Sequence, residues 1–282
     1  MLEDNKVMDK EDIYSVLWDF GRQSVYYVTH PLFLTSRAIY LLVNDLSQDP
    51  CERAKSVMKQ GMYETSEDSL DFGTNLDYLD FWMSSIASIA IEDDGDQQGP
   101  KSELLPDKLP PVFLVCTHAD KPYDGGGPRK LAYKVRSSLQ HKLYDTNLYD
   151  DVFVVDNTKS GTKFECSDVL RLPTEVFDVA KELPQMKEAI PIQRLRYERA
   201  LHNVKNDGLK YISLDRAKQV ASKECNIVDD KQFHMLLNFL HDRRIFIHFD
   251  DTPELNRLVV LDPQWSIDVF KGVITVRPYC GE

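Results

Sequence analysis

The sequence predicts an α/β domain built on a parallel, doubly wound sheet, followed by a smaller α+β unit of winged-helix pattern. Three observations carry that prediction. Short apolar runs alternate with segments of helical spacing through the first two thirds of the chain, the signature of strand–helix–strand units. After residue 191 the pattern changes to successive helices closed by a β element. The charge changes at the same place: residues 1–182 hold 19 basic and 32 acidic side chains, net −13, whereas residues 183–282 hold 15 and 14, net +1. Such asymmetry marks two units, 1–182 and 183–282. The joint falls in KELPQMKEAIPIQ, residues 181–193, where Pro184 and Pro191 forbid one continuous helix.

The elements of the first unit follow in order. Residues 13–18 (IYSVLW), 38–43 (AIYLLV), 112–116 (VFLVC) and 152–155 (VFVV) are short β-branched or aromatic runs. Runs of that length between turn residues fit strands buried on both faces. Residues 75–91 place Leu76, Leu79, Phe81, Trp82, Ile86 and Ile89 close to a helical period. Residues 129–143 follow Pro128, well suited to the first position of a helix. Residues 168–183 give a third helix, with Pro173 bending its first turns. The acidic, Gly-containing stretch 92–108 reads as a long exposed loop.

In the second unit, residues 194–204 form a basic–apolar helix and Ser213 is the N-cap for a helix over 213–222. Asp229 or Asp230 caps a third, which carries Phe233, Leu236, Leu237 and Leu240 on one face. Residues 245–249 and 258–261 read as a hairpin joined by the polar turn 250–256. Three helices and a hairpin make a winged-helix pattern, which raises nucleic-acid binding as a rival. The recognition helix would be 231–244, with three basic residues and one Asp. A net charge of +1 over the unit releases few counterions, so protein contacts are favoured and no nucleic acid is expected.

In open α/β sheets, ligands sit at the carboxyl ends of the strands. After residue 18 comes Asp19-Phe20-Gly21-Arg22-Gln23; after residue 116, Thr117-His118-Ala119-Asp120; after residue 155, Asp156-Asn157-Thr158-Lys159-Ser160-Gly161. Singly, each is an ordinary turn or cap. Their order, at three strand ends, makes the set informative, and the set resembles the guanine-nucleotide-binding domain of the Roco proteins, whose Ras-like domain precedes a COR domain. Leu17-Trp18-Asp19-Phe20 with Gln23 looks like the family's W-D-F-A-G-Q, which implies a magnesium-side carboxylate at Asp19 and a water-orienting amide at Gln23. Thr117-His118-Ala119-Asp120 looks like the T-H-x-D form of the guanine-reading motif. The Asp120 carboxylate would accept two N–H bonds from the guanine edge, which adenine cannot supply, and such charge-assisted pairs are strong. Asn157-Thr158 stands where the family has its loop over the base. In the second unit, Leu261-Asp262-Pro263-Gln264-Trp265 followed by Ile267-Asp268-Val269-Phe270 is similar to the COR signature L-D-P-x-W, with Trp265 anchoring the following helix.

The resemblance covers essentially the whole chain. It implies an α/β, incomplete Ras-like P-loop NTPase fold followed by a winged-helix, COR-A-like α+β domain. GTP or GDP with magnesium would be the ligands, COR would contact the GTPase domain, and a longer chain would form a homodimer through COR. One component is missing. The phosphate cradle G-x-x-x-x-G-K-[ST] has no counterpart, because the sequence contains no Gly-Lys dipeptide; the cradle would lie upstream, in a longer Roco protein, or have been lost. Gly125-Gly126-Gly127-Pro128 offers either an anion nest or, the favoured reading, a flexible loop before a Pro-started helix. Gly21-Arg22 replaces the family's Ala-Gly; Arg22 is either a built-in cation for phosphate or, as favoured, a sign of degeneration. Removing three charge-assisted hydrogen bonds at roughly 1.5–3 kcal/mol each forfeits about 4.5–9 kcal/mol, roughly 3–6 decades of affinity. The expectation is a GTPase-related signalling or scaffold module with nucleotide binding lost or weak. The alternatives are a GTP-hydrolysing switch once the phosphate loop is supplied, and a winged-helix adaptor unrelated to nucleotides.

Composition excludes other classes. With 42% apolar and 28% charged residues, 12 Gly and 14 Pro, the chain is neither disordered nor fibrous. Its longest nearly uncharged apolar stretch, 81–91, has 11 residues, against about 20 for a bilayer span. The start, MLEDNKVMDKED, lacks the basic and apolar regions of a secretory signal. Five scattered cysteines suggest reduced thiols and a cytoplasmic protein. No H-E-x-x-H, no Cys/His metal spacing and no G-x-S-x-G occurs.

Overall fold

The computed structural model describes residues 16–20, 30–54, 58–60, 63–65, 73–90, 102–164 and 166–274. After a short 3-10 turn, His30–Phe33, the first unit runs β1 (Tyr40–Asp45), the small antiparallel pair β2 (Met58–Gln60) and β3 (Tyr63–Thr65), α1 (Asn75–Ser88), β4 (Val112–Thr117), α2 (Pro128–Leu139), β5 (Leu148–Val154) and α3 (Ser167–Glu182). The main sheet has the order β1-β4-β5 and both of its pairings are parallel. VFLVCT makes the central strand because five of its six side chains are buried, as a strand covered on both faces requires.

Alternate residues face opposite ways, and each face has its own core. Leu42, Leu114, Cys116, Val152 and Val154 pack with Leu79, Met83 and Ile86 of α1 and with Leu131, Val135 and Leu139 of α2. Phe113, Val115, Phe153 and Val155 pack on Val179, Leu172 and Val176 of α3. The second face is covered less fully, and on β1, Leu41 and Val43 remain 43% and 59% exposed. Pro128 opens α2 at its first turn, where its missing N–H costs nothing.

The second unit comprises α4 (Ile192–Asn206), β6 (Tyr211–Ser213), α5 (Leu214–Cys225), α6 (Asp230–Asp242), β7 (Leu258–Val260) and α7 (Pro263–Ile274). Its core gathers Tyr197 and Leu201 of α4, Val220 of α5, and Phe233, Leu237 and Leu240 of α6. Ser213 caps α5 by accepting the Arg216 N–H at 3.2 Å. Asp229, rather than Asp230, caps α6 through the Gln232 N–H at 2.9 Å. Pro263 is the first residue of α7, and Trp265 stacks on Tyr211 with ring centroids 5.1 Å apart.

Two strand expectations are corrected. In the run 13–18, residues 13–15 lie outside the described residues, and residues 16–18 form no strand. Val16 and Leu17 are 83% and 88% exposed, so their apolar character does not report burial in the sheet. The hairpin 245–249/258–261 is also replaced. β7 takes its register from β6, pairing Tyr211 with Val260 and Ser213 with Leu258, while Ile247 contributes one isolated bridge to Val260. Residues 245–247 are apolar because they are buried: Phe246 and Ile247 are core residues, reached through a left-handed Arg244 (φ 54°) that ends α6.

Candidate functional site

The carboxyl ends of β4 and β5 lie side by side, and the loops that follow them are stitched together. Ala119 N–H donates to Val155 O at 3.2 Å, and Val155 N–H donates to Cys116 O at 2.8 Å. Thr117 Oγ1 donates to Asn44 O on the neighbouring strand at 3.3 Å. His118 turns the chain in a left-handed conformation, φ 57°, which is uncommon for a residue with a side chain. Its Nδ1 lies 2.9 Å from Asp45 Oδ1 and 3.2 Å from Thr117 Oγ1. Asp45 is held in turn by the N–H and hydroxyl of Ser47, at 2.9 and 2.7 Å. This turn leaves the Asp120 side chain exposed beyond the end of the sheet.

After β5, Asp156 is buried and accepts the Thr158 N–H at 3.1 Å, the Thr158 hydroxyl at 2.6 Å and the Lys159 ammonium at 2.8 Å. Lys159 first, then Thr158, hold its carboxyl below the usual carboxylate range. Lys159 is pushed up, chiefly by Asp156, with Cys166 and Asp120 adding to the field. The structure thus brings Thr117, His118 and Asp120 together with Asn157 and Thr158, both exposed on the turn Asn157–Lys159. The sequence motif points to Asn157 and Thr158 in this turn, whereas the organising groups are Asp156 and Lys159. The signal was present in D-x-T and D-x-S, at Asp156 and Asp45, where a carboxylate hydrogen-bonds the backbone two residues on.

Asp19 is exposed on a separate segment. Its neighbours are anchored: Trp18 stacks on Phe33 with centroids 6.0 Å apart, and Phe20 meets His30 at 5.2 Å and Trp82 at 5.8 Å. Gln23, with Gly21 and Arg22, lies outside the described residues. Among the described residues, no group of three or more His, Cys, Asp or Glu side chains could hold a metal ion. Cys116 is core, its thiol pushed up to about 12 by burial, which leaves it no thiolate for nucleophilic chemistry.

The family model described as "C-terminal of Roc, COR-A domain" matches residues 191–280. Cyclic GMP-binding protein C of Dictyostelium discoideum is 24% identical over 262 residues, which is 92% of this chain and 8% of that protein. The probable serine/threonine-protein kinase roco6 of the same organism is 23% identical over 266 residues, 93% of this chain and 10% of that protein. The chain therefore spans a tenth or less of the length of these relatives. The structure of Methanosarcina barkeri Roco2 RocCORdC bound to GDP superposes with a TM-score of 0.55 at 19% identity, covering 91% of this chain and 59% of that one. The mixed α/β architecture with its parallel sheet is shared with that structure. A COR-A match over residues 191–280 and similarity to Dictyostelium Roco proteins along nearly the whole length make the chain similar to the Roco family.

Proposed function

We propose that the chain is a GTPase-related signalling or scaffold module that works through protein contacts and binds guanine nucleotide weakly or not at all. In this reading residues 1–182 are an incomplete Ras-like domain and residues 183–282 a winged-helix COR-A domain. The observation that carries it is a mismatch at one end of the sheet. Thr117, His118, Asp120, Asn157 and Thr158 lie together in the loops after β4 and β5, yet the sequence has no Gly-Lys with which to cradle phosphate. Without the cradle Asp120 would read guanine only very weakly, with Thr117 and His118 shaping the turn that presents it and Asn157 and Thr158 bordering the base. Asp19 stands on the magnesium side, with Gln23 nearby in sequence to orient water.

The order helix, short strand, two helices and returning strand, with Ile247 bridging Val260, supports the winged helix. Its chemistry disfavours nucleic acid. Of the basic residues at 231–244, Arg243 is committed to Glu188 and Arg244 to Leu34 O, and the wing carries Asp250, Asp251 and Glu254. Among the described residues no helix is long and apolar enough to cross a membrane; a cytoplasmic home and a COR-mediated homodimer in a longer chain complete the proposal.

A second reading, a GTP-hydrolysing switch when a phosphate-loop segment is supplied, is favoured by the open edge of β1. Leu41 and Val43 are exposed there on a parallel sheet, a class whose strands are normally covered on both faces. The deciding experiment is a calorimetric titration of this chain with GTP, GDP and ATP in the presence of magnesium. The expected result is no guanine-selective binding at micromolar concentration. Micromolar GTP or GDP binding that is lost in Asp120→Ala would overturn the proposal in favour of the switch.

A further inference from the structure

His241 lies near the end of α6, beside the joint between the two units. Its Nδ1 stands 3.2 Å from the backbone nitrogen of His248 and accepts that N–H. An imidazole nitrogen that accepts carries no proton, so His241 is neutral and protonated only at Nε2. His248 is buried, and its own Nδ1 lies 2.9 Å from Leu258 O; a carbonyl only accepts, so this nitrogen donates. The two histidines thereby hold the segment after α6 between that helix and β7. On the other side, the His241 carbonyl accepts from Arg244 N–H at 2.8 Å and from Arg244 Nη1 at 2.9 Å. Arg244 Nη2 crosses the joint to Leu34 O at 2.7 Å.

We infer that His241 and His248 form a proton-sensitive clasp: neutral His241 ties the 245–249 segment and the Arg244 latch to α6, and protonated His241 releases them. A proton on Nδ1 sets donor against donor at the His248 N–H, and the charged ring confronts the Arg244 guanidinium. Burial opposes the charged ring most, with Arg244 and His248 in the same sense, against Asp242 and Asp250; the result is titration below the ordinary histidine value. The Phe249 ring packs edge-on at 6.2 Å and brings no charge. From the first unit, Tyr40 faces Arg244, and its hydroxyl, pushed up to about 12 by burial, stays neutral through this range.

The test uses the full chain. Nitrogen-15 spectra of the histidine rings report the tautomer, and amide hydrogen exchange, corrected for intrinsic rate, reports protection over residues 245–250 and 34–37. At about pH 7.5, above the ordinary histidine value, His241 Nδ1 is expected to carry no proton. As the pH is lowered below the ordinary histidine value, protection in both segments is expected to fall on the order of tenfold, with the midpoint of the His241 titration. In His241→Asn, whose amide oxygen still accepts an N–H but does not titrate, protection should change by less than about twofold. A protonated Nδ1 at the higher pH overturns the clasp, as does an equal fall in the Asn variant. Should that variant fail to fold, the unsubstituted chain still decides, since protection that falls with a midpoint other than that of His241 has the same consequence.

Discussion

At the scale of single residues, His30 shows how burial turns an ordinary side chain into a pH-dependent one. Its ring stacks on Trp82 with centroids 5.0 Å apart and meets Phe20 edge-on at 5.2 Å, and it is buried. Desolvation pushes its pKa down to about 4. The unfolded chain then takes up the proton first as pH falls from the ordinary value of about 6.5. The stabilising effect of a neutral His30 is complete above that value and is lost progressively down to about 4. Over that window the term is worth up to about 3 kcal/mol. His30→Phe keeps an aromatic ring between Trp82 and Phe20 and removes the titration. Urea denaturation at stepped pH should give a distinctly shallower loss of stability between about pH 6.5 and 4 in the variant; identical slopes would assign the acid sensitivity elsewhere. The site residues were legible to different degrees for a related reason. Asp120 follows a strand in a recognisable motif, whereas Asp45 and Asp156 show in the sequence only as the short patterns D-x-S and D-x-T, and their contacts with Ser47, Thr158 and Lys159 form in the folded turns.

At the scale of elements, the start of α1 rests on a reciprocal cap. Thr74 Oγ1 accepts the Asp77 N–H at 3.3 Å, and the Asp77 carboxylate accepts the Thr74 N–H at 2.6 Å; the latter bond is the main reason that the Asp77 carboxyl lies below its usual range. Gly73 enters this cap at φ +84°, and a Cβ there would run into Asp77 Oδ2. Gly73→Ala therefore opposes both the backbone conformation and the cap, and should cost about 1–2 kcal/mol. A thermal melt that leaves the midpoint unchanged would contradict this. The elements legible in the sequence are those where one local signal suffices: β4 by its unbroken apolar run, α2 by Pro128, α5 and α6 by Ser213 and Asp229. β6 escaped because it has three residues and its pairing partner, β7, lies more than forty residues away. Residues 245–249 were misread because an apolar run reports burial, and burial in the core of a helical unit looks the same as burial in a hairpin.

At the scale of the whole molecule, the polar contacts between the two units among the described residues differ in kind. Glu188, from the connecting stretch, bridges Arg37 at 2.8 Å and Arg243 at 3.0 Å, while Arg37 O accepts from Gln185 at 3.0 Å. These ion pairs are partly exposed, and such pairs contribute about 0.2–1 kcal/mol and weaken with salt. Arg244 differs. It is half-buried, its proton affinity is lowered chiefly by desolvation, and it donates to carbonyls in both units, His241 O and Leu34 O. Hydrogen bonds from a charged donor are worth about 1.5–3 kcal/mol; without the guanidinium, His241 O keeps the Arg244 N–H whereas Leu34 O loses this donor. Thr35 Oγ1 adds a further bond across the joint, to Asp242 O at 2.7 Å. The neutral-carbonyl latch should therefore outweigh the ion-pair bridge in coupling the units. Glu188→Ala is expected to cost less than about 1 kcal/mol, an effect that disappears in roughly 0.5 M salt. Arg244→Ala should cost about 1.5–3 kcal/mol regardless of salt and split the calorimetric unfolding transition into two, because the units then lose the contact that makes them unfold together. Equal effects of the two substitutions, or a single sharp transition in Arg244→Ala, would place the coupling in the charges around Glu188 instead.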